Sequence, residues 1–318
     1  MVKFYEGDYE YEEAAILQSH VERLQGDLRV PEYEKFVVNY VQSMGRIQAF
    51  HLFPFNLMLQ MNAQAISHAI AVMHAGHDPT DLDYDFTPED GAFAQAAFLK
   101  MVDQIRAAPG GWNNYMFKYG QVMMKDIVAM QPHNMTGAIV GIEATLAAMI
   151  TAAYGALETL ASDLWIAAGN RHSKLAENWI EKNARQFDGS VLVGHGFDLR
   201  GRMGLMLTQT RKVQFVSFSE IKKAYGDSFR ESVAEAFATD KDVFVTEKVR
   251  NLIAHRAGIV DAKFKEEMIG NPEYQMLDVG EQIHFTGLMV KNRVMACLNL
   301  ATALVKAVDG WSAVAPVG

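Results

Sequence analysis

The chain has 318 residues, half of them apolar, with a formal net charge of −9 and a single cysteine. That length buries one large core or two moderate ones, which excludes a disordered protein. The acidic balance argues against a protein that simply coats nucleic acid, although residues 171–270 hold 17 Lys or Arg against 14 Asp or Glu, so the basic groups concentrate there.

Eighteen Met and eighteen Phe against eight Pro, with Ala-rich stretches throughout, point to an all-α protein. The amino terminus, Met1 to Glu13, is acidic and lacks the basic start and apolar core of an export signal. Pro31 sits in the first turn of a predicted helix from Glu32 to about Met73, with Pro54 as its expected bend. A loop follows from Gly76 to Asp81. Thr87-Pro88-Glu89-Asp90 then restarts a helix with cap, proline and acidic first turn in the preferred order. Pro109-Gly110-Gly111 breaks it, a further helix covers Asn113 to Met130, and Gln131-Pro132-His133 marks the expected domain boundary.

The longest weakly charged stretch runs from Met135 to Gly169, interrupted by Glu143, Glu158 and Asp163. Only Ala144 to Leu157 is free of charge, too short to span a bilayer, so the stretch reads as the central helix of a bundle. Ser173 to Gln186 reads as a helix and Phe187 to Gly204 as a glycine-studded loop without the Gly-Lys-Ser/Thr ending of a phosphate-binding loop. Ser217 begins another helix, Ser228 to Thr239 a short one, and Val243 to Ala257 a third. Asn271-Pro272 turns the chain, Val279 to Phe285 forms a hairpin or extended strap, and a terminal helix runs from Thr286 to Val308. Cys297, in the apolar run Val294 to Val305, reads as a small buried hydrophobe, consistent with a reducing cytoplasm.

The helix from Val243 to Ala257 packs a fixed cation, an amide and an imidazole into six positions. At about 100° per residue, Val245, Val249, Leu252 and Ile253 share one arc while Arg250, Asn251 and His255 cover the opposite arc. Asn251 and His255 are an i, i+4 pair, and the long Arg250 side chain can swing toward them or pair with Glu247 one turn earlier. His255 can exchange a proton near neutral pH, Arg250 offers a planar fork to phosphate oxygens, and Asn251 can orient the imidazole or donate to the phosphate. Arg256, Lys263 and Lys265 read either as a phosphate-holding rim or as solvated helix charge. His68, His74 and His77 with Asp78 form the competing cluster, but their spacing follows no recognised metal-ligand order, and a surface loop is the better account.

Arg250-Asn251-Leu252-Ile253-Ala254-His255 resembles the R-N-x-x-x-H motif of the HEPN superfamily. The order of a long earlier helix with Leu157-Glu158-Thr159-Leu160, a variable region, the motif helix and a final helix is similar as well. The resemblance covers about residues 135–310 and implies a HEPN-like up-and-down helical bundle over residues 134–318, with an additional helical region of no recognised family over 1–133. It further implies a metal-independent endoribonuclease of a toxin, defence or RNA-processing system, with Arg250, Asn251 and His255 catalytic and no cofactor. Two copies would face a shared cleft as a homodimer, and Glu158 would point toward the motif. The alternative is a non-catalytic dimerising module that holds a protein partner or a nucleotide.

Overall fold

The computed structural model describes residues 24, 28–78, 85, 87–111, 115, 118–119, 122, 136–183, 189–194, 196, 198–209, 213–238 and 240–315. These are helical nearly throughout, and the one β-bridge among them joins Ile259 to Gln282. The chain is therefore all-α. In order the helices are α1 (Glu34–His74), α2 (Pro88–Ala107), α3 (Thr136–Arg171), α4 (Ser173–Asn183), α5 (Gly189–Gly194), α6 (Met203–Gln209), α7 (Phe218–Phe229), α8 (Asp240–Arg256), α9 (Ala262–Glu267) and α10 (Gly287–Val314). Single 3₁₀ turns occupy Pro31–Tyr33, Arg230–Val233 and Glu235–Phe237.

Among the described residues, contacts group those of 49–142 into one compact unit and those of 24–48 with 143–315 into another. The divisions at 48/49 and 142/143 fall inside α1 and α3. The expected boundary at Gln131-Pro132-His133 lies outside the described residues. Of the expected helix Asn113 to Met130, only Tyr115, Lys118, Tyr119 and Val122 are described, all helical. The acidic segment Met1 to Glu13 lies outside the described residues.

The first unit is organised locally. Thr87 caps α2 by accepting from the Asp90 amide at 3.2 Å, and the Asp90 carboxylate accepts from the Thr87 amide at 3.1 Å, a reciprocal box that satisfies two otherwise orphaned donors. His74, at the end of α1, lies 3.7 Å from Asp90 and stacks on Phe93. Pro54 is contained within α1, and no group of three metal-ligating side chains exists among the described residues.

The second unit is built around α3 and α10. From α3, Leu146, Met149, Ile150, Ala153, Leu157, Leu160, Leu164 and Trp165 are buried at helical spacing. The Trp165 indole donates to the Ala224 carbonyl and Ser228 hydroxyl of α7, and the Tyr225 hydroxyl donates back to the Ala161 carbonyl at 2.7 Å. Val37, Tyr40, Met44 and Ile47 form the buried stripe of α1 in this unit. Its entry is fixed by Asp309 of α10, which accepts from the backbone amides of Arg29 at 3.0 Å and Val30 at 2.8 Å, and by Tyr33, whose hydroxyl meets Ser312 at 2.6 Å.

The glycine-studded stretch contains more helix than expected: α5 and the start of α6 lie within Phe187–Gly204. A Cβ on Gly204 would stand 2.3 Å from the Ile166 carbonyl oxygen, and one on Gly169 would stand 2.9 Å from the Gly204 Cα. Those glycines serve a close helix crossing between α3 and α6, which in sequence looks the same as a turn signal. The segment expected as a short helix from Ser228 is the end of α7 followed by two 3₁₀ turns, with Arg230 at a φ of 55°.

Two segments, Ile139–Arg171 and Gly287–Val314, are long and apolar enough to cross a membrane by length and composition alone. The charge-free core of the first is short, yet the helix around it still qualifies. Both carry charged side chains that find protein partners within the second unit: Glu158 pairs with Arg250, and Arg293 pairs with Glu273 at 3.2 Å.

Candidate functional site

Helix α8 buries Val243, Val245, Val249 and Leu252 and leaves Ala254, His255 and Arg256 exposed at its carboxyl end. Ala257 and Gly258 end it. Both take positive φ, 53° and 81°, and their amides donate to the carbonyls of Ile253 and Leu252, which curls the chain back over the last turn. The strap then pairs with that turn: Ile283 donates to the Gly258 carbonyl at 2.9 Å, and Val260 donates to the Glu281 carbonyl at 2.7 Å. Within the strap His284 lies 3.0 Å from Glu143 of α3. Asp261 caps α9 by accepting from the Phe264 amide at 2.8 Å.

Arg250 points from α8 onto α3. Its Nη2 donates to Glu158 Oε1, its Nη1 donates to Asn251 Oδ1 at 2.9 Å, and its guanidinium carbon sits 4.8 Å from the centroid of the Tyr154 ring. Tyr154 and Glu158 are themselves one turn apart on α3, so a single face of that helix supplies both the aromatic seat and the carboxylate. Burial holds the Glu158 carboxyl above the usual carboxylate range, against the opposing pull of Arg250. Burial also pushes the Tyr154 phenol up, helped by the charges of Glu247 and Glu158.

The pairing of Arg250 with Glu247, one of the two contacts open from spacing, does not form. Glu247 is buried and accepts instead from the Phe218 amide at 3.0 Å, occupying the first turn of α7. The polar trio is also divided. Arg250 turns inward to α3 and His255 is exposed, while the half-buried Asn251 accepts from Arg250.

The basic residues expected around the motif take separate positions. Arg256 lies 3.6 Å from Asp261, Lys265 pairs with Asp278, and Lys263 is exposed. Arg256 and Lys265 are thus neutralised locally. A cavity of about 680 Å³ lies beside the amino-terminal half of α8, with Lys241, Phe244 and Lys248 on its α8 wall. Lys248 reaches Glu267 at 2.9 Å and stands 4.8 Å over the Phe244 ring. Spacing alone did not single out Tyr154 or this groove. Tyr154 was readable only as the residue one turn before Glu158, and the groove needs α9, a six-residue helix with little apolar periodicity.

Comparisons with protein-family models, curated proteins and solved structures returned no match.

Proposed function

We propose that the chain is a metal-independent endoribonuclease of HEPN type, cutting RNA by attack of the neighbouring 2′-hydroxyl. The observation that carries this reading is the hydrogen-bonded chain Glu158–Arg250–Asn251 on the helix that exposes His255 one turn after Asn251. In this reading His255 takes or returns the proton. Arg250 commits two of its five N–H donors to Glu158 and Asn251, and the rest of the fork is suited to the non-bridging oxygens of a crowded phosphorane. Glu158 and the Tyr154 ring fix the orientation of that fork, and Asn251 places an amide between cation and imidazole.

A second copy of the chain, related by a two-fold axis, belongs to this proposal because one motif supplies one imidazole where the reaction moves two protons. Light scattering at micromolar concentration tests it, and a monomer that still cleaves RNA overturns it. A cytoplasmic location is part of the same proposal.

One observation favours a second reading. Arg250 already holds a carboxylate, as it would in a non-catalytic dimerising module for a protein partner or nucleotide. Incubation of the purified protein with mixed RNA in EDTA, with mapping of the ends, separates the two. Cleavage that survives the chelator, leaves 2′,3′-cyclic phosphate ends and spares DNA supports the nuclease. Intact RNA under all conditions supports the module.

A further inference from the structure

Lys241, Phe244, Lys248, Asn251 and His255 follow one another at steps of three, four, three and four residues along α8. At about 100° per residue they fall within an arc of roughly 80°, so they form one stripe running from the start of the helix to the motif. Phe244 is 37% exposed, and Lys248 lies over its ring. The first three residues of the stripe, Lys241, Phe244 and Lys248, line the cavity of about 680 Å³, whose other walls carry Lys222 from α7 and the apolar Met268 and Ile269 after α9; Asn251 and His255 continue the stripe beyond it. Of the three acidic groups there, Glu247 is buried on the Phe218 amide and Glu267 is held by Lys248, while Asp242 is exposed beside Lys241. An aromatic face, an apolar wall and lysines at the rim together suit a base and its phosphate.

We propose that this groove is the binding subsite for an unpaired nucleotide of single-stranded RNA, from which the strand follows the α8 stripe to the motif. The inference rests on the reading of α8 as an RNA-directed helix and names its substrate class. The base stacks at Phe244 against Met268 and Ile269, and Lys241 and Lys222 take the adjoining phosphates. Eleven residues of helix separate Phe244 from His255, about 16 Å. A mononucleotide does not cover that distance and a short oligonucleotide does. A duplex is excluded, because its bases are already stacked and cannot enter a one-base groove.

The test uses the full-length protein and fluorescein-labelled 2′-O-methyl oligonucleotides of mixed sequence, which lack the attacking hydroxyl and so report binding alone. Anisotropy should show the single-stranded hexamer binding at least tenfold tighter than the dimer and tenfold tighter than the same hexamer in a duplex. Phe244→Ala should weaken the hexamer roughly ten- to a hundredfold, the range expected for loss of one stacked base. Lys241→Ala, an exposed position, should lower the slope of log affinity against log salt by about one. Equal affinity for strand and duplex, or full hexamer affinity and an unchanged salt slope in both variants, overturns the subsite. The two readings fail separately. Binding that depends on Phe244 without any cleavage of ordinary RNA removes the nuclease and keeps the subsite. Cleavage that depends on His255 with Phe244→Ala and Lys241→Ala binding as wild type does the reverse.

Discussion

The guanidinium of Arg250 rests on the face of Tyr154, 4.8 Å from the ring centroid, while Glu158 one turn further along α3 takes its hydrogen bond. Such a seat needs a planar cation. Arg250→Lys should therefore abolish cleavage in an RNA assay even though charge is retained, because an ammonium cannot bond Glu158 and Asn251 as a fork while lying flat on a ring. Glu158→Gln should lower unfolding free energy by about 1–3 kcal/mol in urea titrations, since it leaves a mostly buried cation with a weaker partner. Wild-type stability in that variant would show that the pair is energetically idle.

His255→Ala should remove most of the cleavage rate, on the order of a hundredfold or more, with the unfolding midpoint unchanged. His255 is exposed and packs against no core position, so truncation there has little to destabilise. A variant that cuts as fast as wild type ends the catalytic assignment.

Gly204→Ala should destabilise the second unit by at least about 1–3 kcal/mol, the usual range for overpacking. The added carbon would fall 2.3 Å from the backbone oxygen of Ile166, an atom that cannot swing aside as a flexible side chain would. Thermal melts of Gly204→Ala and Gly226→Ala make a controlled pair, because nothing lies within 4 Å of a Cβ at Gly226. Equal effects would mean that the crossing of α3 and α6 is looser than described.

His51 is fully buried in α1, and burial pushes its imidazole down to about 4 from an ordinary 6.5. The folded chain then holds fewer protons than the unfolded chain between those values. Stability from keeping the ring neutral is complete above about pH 6.5 and is lost as pH falls toward 4, to a total of about 3 kcal/mol. Denaturant titrations at pH 7 and pH 4.5 should show a smaller pH effect in His51→Leu than in wild type. Identical pH effects would mean that the ring is charged in the folded state.

Helix starts were the most legible part of the sequence, because a cap is a local device. Thr87, Ser217, Asp261 and Thr286 each accept from an amide three residues on, and three of these four starts were readable from cap and pattern. The fourth, at Asp261, opens a helix too short to show a period. What depended on distant chain was legible less well. Spacing along α8 gave two possible contacts for Arg250, and Glu247 lost because the amide of Phe218, 29 residues earlier, claimed its carboxylate. Glu158 was suggested by resemblance, not by any local pattern. Gly169 and Gly204 were ambiguous for a different reason: a missing side chain permits a tight turn and a tight crossing equally well.

The two backbone amides at Arg29 and Val30 find their acceptor in Asp309, some 280 positions later. This gives the fold a temporal order. During synthesis the entry to α1 leaves the ribosome well before α10 and must wait, with Val30, Tyr33 and the stripe beyond it uncovered, until α10 has been made. That stripe is therefore open to aggregation while some 280 residues are added, and completion of α10 is the event that closes the second unit.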